Sequence, residues 1–359
     1  MMNDKKKVLC AMSGGVDSSV CAYLLKEMGY EVIGVTMKTW ARDTSKAERS
    51  CCGIDDIDDA RRVAAQLDIP YIALDMEQVF KETIIEDFQS EYLKGRTPNP
   101  CIRCNYKLKF GYLMDKANEL GAHYVATGHY ARIVEVDGRK AIQMGDDKAK
   151  DQSYVLYNLT QEQLNRTLFP LADFEKDKIR EIAMEQGFKR VANKPDSQEI
   201  CFVPDDYRDY LKKSIGSDIK KGTFVDHNGK NLGEHEGVPF YTIGQRKGLG
   251  ISFPEKTYVT SIDSETNEVR LGSRDQLACT AMKVNGFNWV AYAPRDSSFF
   301  AKVQIRYNQQ PVDCTVFPSN QNELTIKFME PQNAVAPGQS AVLFDNDLVI
   351  GGGLILERL

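Results

Sequence analysis

The sequence predicts an α/β protein with a doubly wound parallel sheet, followed by a small mixed domain and a C-terminal antiparallel β-barrel or sandwich. Up to about residue 127, apolar runs of strand length alternate with segments of helical periodicity. A glycine- and serine-rich loop separates the first strand from the first helix. From about residue 215 the helical patterns stop, and glycine clusters separate short alternating segments. These changes divide the chain into domains at 1–208, 209–279 and 280–359.

The elements follow from apolar periodicity and from glycines that end helices, such as Gly29. Strands are predicted at Val8–Met12, Glu31–Met37, Tyr71–Asp75 and Tyr124–Thr127. Helices are predicted at Ser19–Met28, Asp55–Leu67, Val79–Leu93, Lys107–Leu120 and Phe174–Gln186. Thr160 and Gln163 have the spacing of a capping box. In the tail, strand patterns occur at Lys302–Tyr307, around Cys314, at Leu324–Phe328 and at Leu348–Leu356.

Composition excludes several classes of protein. The chain has 359 residues, a net charge of −5 and nine cysteines, which do not form a disulfide scaffold in a chain of this length. Its longest apolar runs are far shorter than a membrane span, and the apolar stretch near the N-terminus is too short for a signal peptide. We therefore expect a cytoplasmic protein without a membrane segment, whose cysteines, such as Cys10 and Cys21, mostly serve packing. The net acidity still allows a local basic surface for nucleic acid.

The loop Ser13–Ser18, with the sequence SGGVDS, indicates a phosphate-binding site. Glycines allow the backbone to approach a phosphate closely, and a helix start offers unpaired N–H groups to an anion. The lysine-containing GxxxxGK[ST] motif is absent. An aspartate without a lysine suits a magnesium-bound pyrophosphate better than a transferred γ-phosphate, and Asp17 is the candidate Mg²⁺ ligand. A plain strand–helix turn capped by Ser18 is the structural alternative.

A basic window at residues 92–114 contains five Lys or Arg side chains and no acidic residue. This pattern indicates contact with phosphates, although a solvated helix face has the same composition. Cys101-x-x-Cys104 lies inside the window, and a redox pair, a metal site and a nucleophile beside the substrate all remain open. Cys201 is the further thiol candidate. It would be the third ligand of an iron–sulfur cluster, or the partner of Cys104 in passing sulfur and forming a disulfide.

The loop resembles the SGGxDS signature of the PP-loop ATP pyrophosphatases, which split ATP into AMP and pyrophosphate. Further motifs resemble the tRNA-specific 2-thiouridylases, which install sulfur at C2 of the wobble uridine. These motifs are TPNPCIRCN, ATGHYAR, KDQSY, SQEICF, YTIGQRKGLG, RYNQ and APGQ. The resemblance runs nearly end to end. It implies a PP-loop, adenine nucleotide alpha-hydrolase-like sheet in the first part and an adenylated uridine 34 as the intermediate.

The resemblance also implies functions for individual residues. The ATP-binding residues it implies are Ala11, Met12, Ser13, Gly14, Gly15, Val16, Asp17, Ser18, Met37 and Gly128. The target base would contact Asn99, Pro100 and Cys101. The implied tRNA-binding residues are His129, Lys150, Asp151, Gln152, Arg306, Tyr307 and Gln339. Cys104 matches the catalytic nucleophile, and Cys201 matches the catalytic residue that carries the persulfide.

The implied reaction is that of a tRNA uridine 2-sulfurtransferase. The uridine O2 attacks the α-phosphate of ATP, pyrophosphate leaves, and persulfide sulfur from Cys201 then replaces the adenylated oxygen. Cys104 reduces the persulfide or resolves the linkage, which leaves a Cys104–Cys201 disulfide for an outside reductant. The expected partners are tRNAs for Lys, Glu and Gln, and a persulfide donor such as a cysteine desulfurase or a sulfur-relay protein.

One position departs from the resemblance, because many 2-thiouridylases have aspartate where this chain has Cys101. The extra thiol favours an alternative in which Cys101, Cys104 and Cys201 bind a [4Fe–4S] cluster. The persulfide mechanism is preferred because it requires no cofactor beyond ATP and Mg²⁺. A third hypothesis is a PP-loop synthetase that transfers nitrogen to an adenylated carbonyl. It explains the loop but gives the cysteines no function.

Overall fold

The computed structural model describes residues 6–39, 54–196, 200–203, 206–251, 253 and 255–359. Ser197, Gln198 and Glu199 of the SQEICF motif lie outside the described residues. The strands of the described chain form three sheets, of five, four and eight strands. Within the described ranges, no helix combines the length and the apolar character needed to cross a bilayer.

The first sheet is parallel throughout and confirms the predicted α/β class. Its strands are ordered Tyr71–Asp75, Glu31–Lys38, Lys7–Ala11, Tyr124–Ala126 and Thr167–Leu168. The first strand along the chain, Lys7–Ala11, is the central one. The next two strands in the chain extend the sheet on one side of it, and the last two extend it on the other side, so the direction of winding reverses at Lys7–Ala11. In doubly wound sheets, ligands bind at the carboxyl ends of the strands at such a point.

Helices cover both faces of this sheet because the central strand is apolar on both. Val8 and Cys10 pack into one buried cluster with Val20, whereas Leu9 packs into another with Phe110. The main helical segments are Val16–Glu27, Ile54–Gln66, Glu77–Phe80, Lys81–Ile85, Glu86–Leu93, Pro100–Cys104, Asn105–Tyr112, Leu113–Glu119 and Lys176–Glu185. Lys81–Ile85 and Asn105–Tyr112 are π-helical.

Shorter helical segments connect these elements, and the predicted capping box is confirmed among them. Thr160 accepts from the backbone N–H of Gln163, whose side chain accepts in return from the backbone of Thr160. The remaining segments are Ser153–Leu156, Gln161–Asn165, Lys189–Ala192, Tyr207–Ile215, Gly216–Asp218, Val238–Phe240 and Asp275–Leu277.

The middle of the chain forms a small four-stranded sheet with mixed strand directions. Its order is Tyr258–Asp263, Glu268–Gly272, Gly222–Val225 and Asn231–His235. Phe224 and Val259 from this sheet share a buried cluster with Phe88 and Phe202 of the first part. Apolar side chains therefore join the first and middle parts.

The C-terminal strands close into an antiparallel barrel, so the predicted barrel is confirmed over the sandwich. The strand order is Ala278–Trp289, Leu324–Asn333, Val312–Pro318, Phe299–Gln304, Ser340–Asp345 and Leu348–Arg358. Ala278–Trp289 also pairs with Leu348–Arg358, which completes the closure. A hairpin from the first part, Ala131–Val136 with Arg139–Met144, extends the same sheet through the pair Leu348–Gln143.

Candidate functional site

The predicted phosphate loop lies between the strand Lys7–Ala11 and the helix Val16–Glu27. Its serines hold the loop together: the Ser13 N–H donates to Ser18 Oγ at 3.1 Å, and Ser19 Oγ donates to the Gly15 carbonyl at 2.9 Å. Gly15 is the N-cap residue, and no side chain caps this helix start. The first helical N–H groups can therefore bind an anion. The helix begins at Val16, earlier than the predicted Ser19, because the loop itself forms its first turn.

The predicted ATP-binding residues come from three neighbouring parallel strands. Met37 lies near the end of Glu31–Lys38, and Gly128 follows Tyr124–Ala126. A Cβ added at Gly128 would lie 2.8 Å from the Asp17 carbonyl carbon and 3.0 Å from the Ser18 nitrogen. Only glycine therefore allows this second loop to touch the phosphate loop. The structure brings the predicted set together at one edge of the sheet.

Asp17 is neutralised by a lysine that the sequence reasoning missed. Lys176 Nζ lies 2.7 Å from both carboxylate oxygens of Asp17, and the Tyr130 hydroxyl donates to the same carboxylate at 2.7 Å. Burial, and then the charge of Asp17, raise the pKa of Tyr130, so it stays a donor. Lys176 starts the helix Lys176–Glu185, far from the loop along the chain. No local motif connects the two positions, and only the fold brings them together.

The Lys-Pro-Asp segment that precedes Cys201 is tied to the same loop. Lys194 Nζ donates to the Gly14 carbonyl at 3.2 Å, and Asp196 pairs with Lys150 at 2.7 Å and Lys176 at 3.0 Å. Burial acts to raise the pKa of Asp196, but hydrogen bonds and the charges of Lys176 and Lys150 outweigh it and lower the pKa to about 2. This carboxylate is therefore ionised at neutral pH.

The Cys-x-x-Cys motif lies on a helix, which corrects the prediction that the helix begins at Lys107. Asn99 Oδ1 accepts from the N–H groups of Cys101 and Ile102 at 3.1 and 3.4 Å, and Pro100 occupies the first turn. Asparagine at the N-cap followed by proline is a helix start signal, and it was available in the sequence. Asn99, predicted to contact the base, therefore has its side-chain oxygen engaged in capping.

The three candidate thiols have different environments. Cys104 and Cys201 are half-buried and pack against the same apolar cluster, which joins the first and middle parts of the chain. Cys101 is exposed. Among the described residues, no three His, Cys, Asp or Glu side chains form a group that could hold a metal ion.

The basic window is partly neutralised by acidic residues that lie just before it in the chain. Glu91 pairs with Lys94 at 2.9 Å and with Arg96 at 3.5 Å, and Asp87 pairs with Arg103 at 3.4 Å. The window itself contains no acidic residue, but the preceding helix turns these carboxylates toward it and offsets part of its positive charge. Lys107 is exposed and stands over the ring of Tyr106, 5.1 Å from its centroid.

The C-terminal barrel holds the segment that precedes Asn99. Gln339 Nε2 donates to the Thr97 carbonyl at 2.9 Å, and the Thr97 N–H donates to the Pro337 carbonyl at 2.9 Å. A cavity of about 430 Å³ lies between the helix Pro100–Cys104, hereafter the cysteine helix, and the barrel. Asn99, Arg103 and Tyr106 line the helix side of the cavity, and Asn288 and Ser340 line the barrel side.

The predicted tRNA-binding residues are not all at the surface. His129 is 6% exposed, and burial followed by the charge of Lys109 lowers its pKa well below the ordinary value. Its Nδ1 lies 2.6 Å from Thr127 Oγ1, which favours a packing and hydrogen-bonding role. Asp151 accepts from backbone N–H groups, and Gln152 accepts from the Tyr130 N–H.

The remaining members of that set reach the surface or join parts of the chain. Lys150 is partly exposed while it pairs with Asp196. Arg306 and Tyr307 are exposed next to the barrel. Arg306 donates to the carbonyls of Ile243 and Ala334 at 3.4 and 2.8 Å, so it joins the middle part to the barrel. The tRNA contacts of these residues stay a prediction.

Family models match the chain in three consecutive ranges. Residues 6–205 match a model described as a tRNA methyl transferase HUP domain. Residues 208–273 match a tRNA methyl transferase PRC-barrel domain, and residues 279–355 match an aminomethyltransferase beta-barrel domain.

Curated relatives match the chain over nearly its whole length. A tRNA-specific 2-thiouridylase MnmA of Clostridium beijerinckii is 48% identical over 354 residues, which is 98% of this chain and 99% of the relative. The protein of the same name from Geotalea uraniireducens is 48% identical over 98% of this chain and 96% of the relative. That from Carboxydothermus hydrogenoformans is 48% identical over 99% of both chains.

Proposed function

The chain belongs to the family of tRNA-specific 2-thiouridylases, and we propose that it transfers sulfur from a persulfide on Cys201 to uridine 34 with the help of Cys104. As a member of this family it is an ATP-dependent tRNA sulfurtransferase. The observation that carries the proposed mechanism is the environment of the thiols. Cys104 and Cys201 pack against one apolar cluster, whereas Cys101 is exposed.

The first step of the proposed reaction activates the base. The uridine O2 attacks the α-phosphate of ATP, a P–O bond forms, and the bond to pyrophosphate breaks. The residues proposed to bind ATP are Ala11–Ser18, Met37 and Gly128. The uncapped helix start supports this proposal, because its N–H groups stabilise the negative charge of the phosphates.

Mg²⁺ belongs to this step, and Asp17 is the residue that would hold it. A single carboxylate fits this ion, because Mg²⁺ at nucleotide sites takes most of its ligands from phosphates and water. When bound, the ion would neutralise charge on the departing pyrophosphate. Asp17 keeps part of its surface accessible even while it pairs with Lys176.

The second step exchanges oxygen for sulfur. The terminal persulfide sulfur of Cys201 attacks C2 of the adenylated uridine, and AMP leaves with the former O2. The Cys104 thiolate then attacks Cys201 Sγ, which breaks the S–S bond and leaves the terminal sulfur on the base. The two cysteines are oxidised to a disulfide while the sulfane sulfur is reduced, and an external thiol restores them.

The iron–sulfur alternative is less well supported by the described residues. A cluster needs all three thiols at one point, but Cys101 is exposed while Cys104 and Cys201 are half-buried against the apolar cluster. No metal-holding group of three such side chains occurs in the part of the chain that the structure describes. The proposed reaction therefore contains no step that uses iron.

The partners of the reaction are proposed on the resemblance and on the exposed surface near the cysteine helix. We propose tRNAs for Lys, Glu and Gln as substrates, and a cysteine desulfurase or sulfur-relay protein as the donor that loads Cys201. The exposed Lys107, Arg306 and Tyr307 support a phosphate- and base-contacting surface. Because these partners are cytoplasmic, we propose that the enzyme acts in the cytoplasm.

Thiolation of unmodified tRNA by the purified protein tests this function. The reaction contains ATP, Mg²⁺ and a persulfide donor, and thiolated tRNA is detected by its retardation in a mercury-containing gel. We expect retardation with iron-free wild-type protein, and its loss in Cys104→Ser and Cys201→Ser. Cys101→Ser, on the same helix as Cys104, is the matched control and should retain activity. Activity that requires bound iron and all three cysteines would favour the cluster instead.

A further inference from the structure

We propose that Lys176 is the lysine of the phosphate site, and that it binds the pyrophosphate part of ATP from outside the loop. This inference rests on the ATP step of the proposed function and names a further residue for it. The loop Ser13–Ser18 contains no lysine of its own. The fold supplies one at the loop's aspartate, from a helix that follows the sheet's last strand.

The position of Lys176 is fixed on several sides. Its side chain is 10% exposed, and its Nζ lies 2.7 Å from both oxygens of Asp17. The ammonium also stands 5.8 Å from the centroid of the Tyr130 ring. Its backbone N–H donates to Asp147 Oδ2 at 3.0 Å, which anchors the helix start. The ammonium is therefore positioned beside the phosphate loop.

Neither acidic partner depends on Lys176 alone. Asp196 also pairs with Lys150 and Arg180, each at 2.7 Å. Asp17 also accepts a hydrogen bond from Tyr130 at 2.7 Å and can turn to a metal ion. The ammonium of Lys176 can therefore turn to an arriving pyrophosphate group, because Asp17 and Asp196 would both keep other partners and neither carboxylate would be left unpaired.

The other nearby lysines are less suited to this role. Lys194 reaches the Gly14 carbonyl, but it is shared between the carboxylates of Asp56 and Asp59. Asp59 is nearly fully buried and also pairs with Arg190 at 2.7 Å, but among the described residues Lys194 forms no ion pair with Asp17. Lys150 pairs with Asp196. Among the described residues, its ammonium makes no hydrogen bond or ion pair with Asp17. Lys176 is the cation that combines contact with Asp17 and replaceable partners.

Equilibrium binding of three probes to the full chain tests the assignment without tRNA or sulfur. The probes are ATP, AMP and inorganic pyrophosphate, each with Mg²⁺. For Lys176→Met we expect affinities for ATP and pyrophosphate to fall about 10- to 100-fold, the range for one charged hydrogen bond, with little change for AMP. Lys176→Arg should restore much of the pyrophosphate affinity. Lys178→Met, on the same helix at an exposed Glu181 pair, should bind all three normally.

The affinities for the three probes distinguish a specific loss of pyrophosphate binding from a general structural defect. Equal losses for AMP and pyrophosphate, or unchanged pyrophosphate binding in Lys176→Met, would overturn the proposal. If Lys176→Met does not fold, the double variant Asp17→Asn with Lys176→Met replaces it, because it removes both charges of the ion pair together. The pyrophosphate affinity of Lys176→Arg can still be compared with that of the wild type. The reference for the double variant is Asp17→Asn alone, and equal pyrophosphate affinity in the two would count against Lys176. Failure of tRNA thiolation would leave these binding results unaffected, so the two proposals can fail separately.

Discussion

His129 is a single buried residue whose surroundings hold its imidazole neutral. Burial and then the charge of Lys109 lower its pKa, while Thr127 provides a hydrogen-bonding partner at 2.6 Å. The rings of Phe110 and Phe169 lie 6.1 and 5.9 Å from it, centroid to centroid. A buried neutral histidine supports packing at the end of the strand Tyr124–Ala126.

His129 should make the stability of the fold depend on pH. Because the pKa is lowered in the folded state, the unfolded chain binds more protons below about pH 6.5, and stability falls as the pH decreases, by up to about 1.4 kcal/mol per pH unit for one proton. We expect His129→Gln to reduce the loss of Tm between pH 7.5 and 5.5 and to leave tRNA affinity largely intact. The same change at the exposed His227 is the control. An unchanged pH dependence in His129→Gln would argue against a buried neutral imidazole.

At the scale of elements, two loops must touch for the ATP site to form. A Cβ at Gly128 would lie 2.8 Å from the Asp17 carbonyl carbon. We expect Gly128→Ala to introduce about 1–3 kcal/mol of strain and to weaken ATP binding at least about 5-fold. Gly216→Ala is the control, because its Cβ would meet no atom within 4 Å. ATP affinity and Tm measure both effects, and normal ATP binding by Gly128→Ala would refute the loop contact.

Several elements could be predicted because their signals are local. Val8–Met12 and Tyr71–Asp75 are apolar runs of strand length, and Gly29 and Gly187 adopt the positive φ that ends their helices. The helix start at Asn99 was missed although its signal is also local. The contact between Lys176 and Asp17 could not be predicted, because it depends on how distant helices pack.

At the scale of the whole molecule, the segment before Asn99 is held by the C-terminal barrel. Arg306 similarly joins the middle part to the barrel through Ile243 and Ala334. The hairpin Ala131–Met144 extends the barrel's sheet, a pairing that the sequence did not reveal because its partner strand lies near the C-terminus. The barrel therefore helps to position the cysteine helix. The domain boundaries at 208 and 279 stay predictions.

Gln339 tests whether this connection matters for the reaction. Removing its hydrogen bond to the Thr97 carbonyl in Gln339→Ala should cost about 1 kcal/mol and loosen the start of the cysteine helix. We expect the rate of thiolation to fall several-fold with unchanged ATP affinity. Gln309→Ala, which removes a side-chain hydrogen bond to Gln332 outside this segment, is the control. Equal rates for the two variants would show that the barrel does not position the helix.

In the proposed reaction, the phosphate loop activates the base and the Cys104–Cys201 pair then delivers sulfur. The most direct test measures pyrophosphate release and thiolated tRNA in the same reaction, with wild-type protein and Cys201→Ser. We expect tRNA-dependent pyrophosphate release by both proteins and thiolated tRNA only with the wild type. Thiolated tRNA from Cys201→Ser, or no tRNA-dependent pyrophosphate release by the wild type, would contradict it.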